Sequence, residues 1–179
     1  SVFETINDRG VGLNAMDSLK NLLFMRTSAD RHELLKKRWK ELIDALAGCR
    51  EKPLRFLRYF IMSRYPLERG KDVIREDEIY QWLSDHQAIT GIDARPLTFL
   101  DELVTNGRAY ARFAQATNES GTPNRFLSNI TALSGAARQH FILLLAGRHL
   151  PEDVFEELSR QLENLYFCYL ITREPTKNF

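Results

Sequence analysis

Cysteine is nearly absent from this 179-residue sequence: Cys49 and Cys168 lie far apart, and neither has a partner at CxxC spacing. That excludes a disulfide framework and a structural zinc site of the cysteine-rich kind. One long-range bridge between them is conceivable, but free cysteine usually behaves as a small core residue, so two buried thiols are expected. Histidine is as sparse. His32, His86, His140 and His149 form neither HExxH nor a Cys/His cluster, and no metal site is expected. Long apolar runs are missing too: FILLLA at 141–146 is among the longest, far short of the roughly 18 residues that cross a bilayer. No signal-peptide pattern opens the chain. A soluble, cytoplasmic protein with no membrane partner is expected.

What is present is the composition of an ordinary globular chain, 44% hydrophobic and 27% charged, enough for one large core or two small ones. Charge is balanced overall but not along the chain. Residues 1–70 hold 14 Lys+Arg against 9 Asp+Glu, net +5; the remainder holds 11 against 15, net −4, and together they give +1. The excess sits in Lys36, Lys37, Arg38 and Lys40, then Arg50, Lys52, Arg55 and Arg58. Such a face can lie along a nucleic-acid backbone, because phosphate neutralisation dominates non-specific binding. A solvated helix face has the same composition. Lys36, Lys37, Arg38, Lys40, Arg55 and Arg58 are the DNA-contact candidates.

Period-two alternation is scarce, and three- and four-residue apolar spacing recurs throughout. Asn14 suits an N-cap with Asp17 at the third helical position, predicting a helix over 15–26. Asp30 can cap a second, ending at Gly48, in which Leu34, Leu35, Trp39, Leu42, Ile43 and Leu46 form one stripe. Pro53 suits the first turn of a third helix, apolar nearly all round and therefore central, closed by Pro66 and Gly70. Further helices are predicted over 76–86, from Pro96 to Phe113, over 126–133 and 136–146, and from Pro151 to about Ile171. The last carries Val154, Phe155, Leu158, Leu162, Leu165, Tyr166 and Tyr169 as its buried stripe. TNESGTPN at 117–124 reads as a loop and as a candidate subdomain break. The expected fold is all-α, an irregular multi-helix bundle of seven or eight helices, with no repeat of fixed period.

The opening residues stand apart. Glu4, Asn7, Asp8, Arg9, Asn14, Asp17, Lys20 and Asn21 gather donors, acceptors and both charges within a short strand-like run, a turn ending at Gly10 and a helix start. A helix N-terminus behind such a turn can contact an anion or a nucleotide phosphate. Local structure accounts for the same residues equally: Asn7 and Asp8 as an Asx turn, Gly10 as a positive-φ position, Asn14 with Asp17 as a cap.

The segment VFETINDRGVGLNAMDSLKNLLF resembles the signature F-x-x-I/L-N-x-R/T-G-x-x-L-x-x-x-D-x-I/L-K/R-N/S of the GmrSD-type proteins, a prokaryotic family of restriction and phage-defence enzymes. Phe3, Ile6, Asn7, Arg9, Gly10, Leu13, Asp17, Leu19, Lys20 and Asn21 stand where the pattern expects them. The match covers about the first 25 residues; the helix from Phe99 to Phe113 and the closing LITREPTKNF resemble the family's helical middle region. The resemblance implies a parent in which a ParB-like domain binds and hydrolyses a nucleoside triphosphate with a divalent metal, and a helical region joins it to an HNH-type nuclease acting on modified foreign DNA. Asn7, Arg9, Gly10 and Asp17 are then a partial nucleotide-binding set.

The family's acidic-Gly-Gln-Gln-Arg motif and an HNH pattern do not occur in this sequence. Residues 1–27 are accordingly expected to be the last piece of an α/β, ParB-like domain, and 28–179 a helical domain. No catalytic residue and no cofactor is assigned to the chain itself. Its expected partners are DNA and the flanking ParB-like and nuclease domains, and its expected role is that of a linker or effector region. A stand-alone helical module binding another protein is the alternative.

Overall fold

A computed structural model describes residues 15–67, 73–134 and 138–172. Among them are nine α-helices and no strand, so the all-α class is as expected. The helices are α1 (Ala15–Arg26), α2 (His32–Gly48), α3 (Pro53–Arg64), α4 (Ile79–Asp85), α5 (Gln87–Thr90), α6 (Pro96–Ala114), α7 (Arg125–Ser134), α8 (Phe141–Gly147) and α9 (Glu152–Thr172). The helix beyond the expected seven or eight is α5, a single turn too short to imprint a period on the sequence. The N-terminal strand, the Asn14 cap and the residues Asn7, Arg9 and Gly10 lie outside the described residues.

The contacts divide the chain into Ser1–Arg108 and Ala109–Phe179, with the division inside α6; the loop at 117–124 belongs to the second unit. In the first unit α1 packs on α2, α3 and α4, burying Met16, Leu19 and Leu23. The α2 stripe is the predicted one in part: Leu35, Trp39, Leu42 and Leu46 are buried, while Leu34 is exposed and Ile43 half-buried. Helix α3 is buried nearly all round, through Phe56, Leu57, Tyr59, Phe60 and Ile61. Phe60 meets Phe56, Tyr65 and Phe99 with ring centroids 5.9–6.3 Å apart. Each fully buried Leu, Ile or Phe contributes roughly 1.5–3 kcal/mol. Gly107 of α6 leaves room for the end of the Leu42 side chain on α2: a Cβ there would stand 2.7 Å from Leu42 Cδ1.

Helix α2 ends at Gly48, as expected, and the chain turns back two residues later. Arg50 N–H donates to Ala47 O and Glu51 N–H to Leu46 O, with Arg50 at φ 54°, which is a Schellman closure with arginine in the left-handed position. Helix α6 ends the same way around Ala116, at φ 56°. Helix α4 begins at Ile79 rather than Glu76, because residues 76–78 form a turn closed by the Glu78 carboxylate on Arg75 N–H, 2.9 Å.

In the second unit α9 packs on α7 and α8. Tyr110 and Phe113 of α6, Phe126, Leu127 and Ile130 of α7, and Phe141, Leu144 and Leu145 of α8 are buried. The expected α9 stripe needs correction. Phe155 and Leu162 are buried and Leu158 and Tyr166 half-buried, but Val154, Leu165 and Tyr169 are exposed, Leu165 at 64%. At about 1.5 Å per residue α9 is roughly 31 Å long and α7 roughly 15 Å, so a continuous apolar stripe on α9 outruns the helix that packs on it most. The predicted helix over 136–146 is also revised: Gln139 and His140 form a turn, and α8 starts at Phe141.

The loop at 117–124 is tightly built. Thr117 and Pro123 form an antiparallel bridge, Gly121 turns the chain at φ 93°, and Asn124 N–H returns to Ala116 O. Buried Asn124 then caps α7, its Oδ1 accepting from Phe126 and Leu127 N–H at 3.0 and 3.1 Å. Its Nδ2 donates to Asn118 Oδ1 and to Ser159 Oγ on α9.

Candidate functional site

The basic residues of the first unit are placed by α2 and α3, and most of them already have anionic partners. Lys36 Nζ lies 2.7 Å from Glu33 Oε1, holding the Glu33 carboxyl below its ordinary range, and Lys40 pairs with Asp44. Arg38 Nη1 donates to Glu41 at 3.0 Å, and its Nε stands 3.0 Å from Asp101 Oδ1 without the alignment of a hydrogen bond. Glu41 also accepts from Arg108 at 2.9 Å, so one carboxylate on α2 links two arginines. The Glu41 bond, then the Asp101 charge, raise the Arg38 guanidinium's hold on its proton.

Arg55 grips Glu51 with two bonds, at 2.6 and 3.0 Å. Arg58 lies half-buried with its guanidinium 5.3 Å from the Tyr59 ring centroid, and its Nε has no hydrogen-bond partner among the described residues. Lys37 is exposed and makes no ion pair among the described residues. Of the six DNA-contact candidates, Lys37 is therefore the one that stands on an exposed helix face with no ion-pair partner among the described residues. Four of the six candidates, Lys36, Arg38, Lys40 and Arg55, are thus paired with neighbouring carboxylates. The signal was in the sequence: Glu33, Glu41, Asp44 and Glu51 stand three or four residues from Lys36, Arg38, Lys40 and Arg55, the spacing at which helical side chains meet.

Of the partial nucleotide-binding set, Asp17 is the member within the described residues. It is exposed in the first turn of α1, where a carboxylate complements the helix dipole. Two of the four histidines have backbone partners: His32 Nε2 lies 3.0 Å from Thr27 O and 3.2 Å from Phe24 O, where α1 ends, and His86 Nδ1 lies 2.8 Å from Trp82 O. Among the described residues no three His, Cys, Asp or Glu side chains gather as metal ligands. Neither cysteine is in a disulfide; Cys49 is buried with its Sγ on Leu46 O, but Cys168 is exposed, against the expectation of two buried thiols. No helix among the described residues is long and apolar enough to cross a membrane.

The second unit holds the denser polar cluster, around Asn118, Ser120, Asn124, Glu152 and Ser159. Glu152 Oε1 accepts from Asn118 Nδ2 and Ser120 Oγ, each at 3.1 Å, and these bonds hold its carboxyl below the ordinary range. Arg148 pairs with Glu119 at 2.7 Å across a cleft of about 170 Å³. Ser159 donates to Phe155 O at 2.9 Å. Every member has its partner inside the cluster, which suits a fastening between loop and helix better than a site awaiting substrate. Compared with protein-family models, curated proteins and solved structures, the chain matches none.

Proposed function

We propose that this chain is the helical linker or effector region of a GmrSD-like, nucleotide-dependent restriction protein acting on modified foreign DNA, and that it transmits rather than catalyses. One observation supports the reading above others: the second half of the signature lies on α1, whose Leu19 and Leu23 are fully buried against the helices of the first unit. A rigid helix keyed into a core passes on any displacement imposed at its start, since packed interiors shift as bodies rather than deform. The first check is the parent reading frame, expected to carry an acidic-Gly-Gln-Gln-Arg motif upstream and an HNH pattern downstream; a parent with neither would remove the proposal's basis.

The DNA-contact part is tested by fluorescence anisotropy with a labelled duplex. Weak binding at low salt is expected, falling with a shallow salt slope set by few released counterions and lost on Lys36→Glu/Lys37→Glu/Arg38→Glu. No affinity even at low salt would sink that part. The second reading, a helical module that binds another protein, is favoured by the end of α9, where Leu165, Phe167, Tyr169 and Ile171 are all more than half exposed.

A further inference from the structure

A cleft of about 300 Å³ lies between the α1–α2 link and the start of α6. Three arginines from separate segments line it: Arg26 at the end of α1, Arg31 in the 3-10 turn Ala29–Arg31, and Arg95 just before α6. Thr27, Ser28 and Thr98 bring hydroxyl groups. Pro96 has no N–H, and Leu97 and Thr98 occupy the next two helical positions, whose N–H groups have no carbonyl to reach within the helix. Helix start and guanidinium forks therefore favour the same kind of ligand, an oxyanion.

Two details sharpen this. Arg26 is fixed in place, its Nη2 donating to Gln87 Oε1 and its Nη1 facing Asp93 Oδ1, both at 3.2 Å, while the Arg31 and Arg95 guanidinium groups make no hydrogen bond or close ion pair among the described residues, the Arg31 charge acting on Asp30 only as a neighbour. Thr27 lines the cleft and is 9% exposed; its Oγ1, closed off from water, has no hydrogen-bond partner among the described residues, and a turn about χ1 is what would present it to a ligand. Two carboxylates neighbour the lining: Asp93 on Arg26, and Asp30, which the Ser28 hydroxyl holds below its ordinary range. An extended polyanion would run against both, whereas a single compact phosphoryl group need meet neither.

We propose that this cleft binds the phosphoryl group of a small phosphate ester, held by Arg31, Arg95 and the Leu97 and Thr98 amides, with Thr27 donating its hydroxyl. The proposal is independent of the linker reading. The test is an amide NMR titration of the 179-residue chain with pyrophosphate, with adenosine monophosphate and with a short DNA duplex, at constant ionic strength. Saturable shifts of the Leu97 and Thr98 amides with pyrophosphate and the monophosphate are expected. Arg31→Ser/Arg95→Ser should weaken both at least about tenfold, since each charge-assisted bond is worth roughly 1.5–3 kcal/mol. Thr27→Val, which keeps the volume, should weaken them by a smaller factor with the rest of the spectrum unchanged. Amides unmoved by pyrophosphate, equal affinity in the arginine variant, or a response to the duplex alone would each overturn the proposal.

Discussion

Arg55 holds a carboxylate that water does not reach: the Glu51 side chain is 0% exposed, and Nε and Nη2 of the guanidinium approach its two oxygens at 2.6 and 3.0 Å. A residue that reads from sequence as part of a DNA-facing surface is committed to stabilising a buried charge at the start of α3. Lys52 N–H adds a third bond to the same carboxylate, at 2.7 Å.

Arg55→Met is therefore expected to cost about 3 kcal/mol, the lower end for breaking a buried ion pair, since Arg55 itself is partly exposed. Lys37→Ala, on an open face, should stay within about 0.5 kcal/mol. Urea denaturation of the two variants checks the contrast, and similar midpoints would mean that Glu51 is adequately held without Arg55.

Arg50 occupies a left-handed conformation that costs a non-glycine residue roughly 1–2 kcal/mol, and its side chain is exposed. Replacing it with glycine relieves that strain, partly offset by the greater freedom of glycine in the unfolded chain. Arg50→Gly should stabilise by about 0.5–1 kcal/mol, seen as a thermal midpoint a few degrees higher. A lower midpoint would show that the arginine side chain supports the α2 terminus.

That terminus illustrates what could be read beforehand. Gly48 is the last residue of the helix, as its place in the sequence predicts, but the chain reverses two residues later at an arginine whose conformation no propensity announces. The α2 stripe of Leu35, Trp39, Leu42 and Leu46 was legible because one helix face meets one core. Leu165 and Tyr169 belong to an equally periodic stripe but are exposed, because periodicity defines a face and not the length of whatever covers it. The arginines at 26, 31 and 95 were invisible as a group: they come together through tertiary structure, with no spacing to mark them.

His140 is 9% exposed, edge-on to Phe141 and Tyr166, with Nδ1 unpartnered among the described residues. Burial, then the neighbouring Arg138 charge, push its pKa down to about 4. An unfolded histidine takes up its proton near 6.5, so between pH 6.5 and 4 the unfolded chain binds the proton and the native chain does not. The contribution is present above about 6.5 and is lost as pH falls, by up to about 3 kcal/mol in all. Comparing the pH dependence of stability in the native chain and in His140→Leu isolates it from the carboxylates; parallel curves would refute it.

Asn124 has two duties that the geometry makes inseparable. Its Oδ1 closes the first turn of α7, and the amide nitrogen of the same group reaches Ser159 on α9. Rotating that side chain to release one helix releases the other, so the Phe126 and Leu127 amides should exchange with solvent in step with the middle of α9. One carboxamide thus ties the start of α7 to a helix that begins well after α7 has ended.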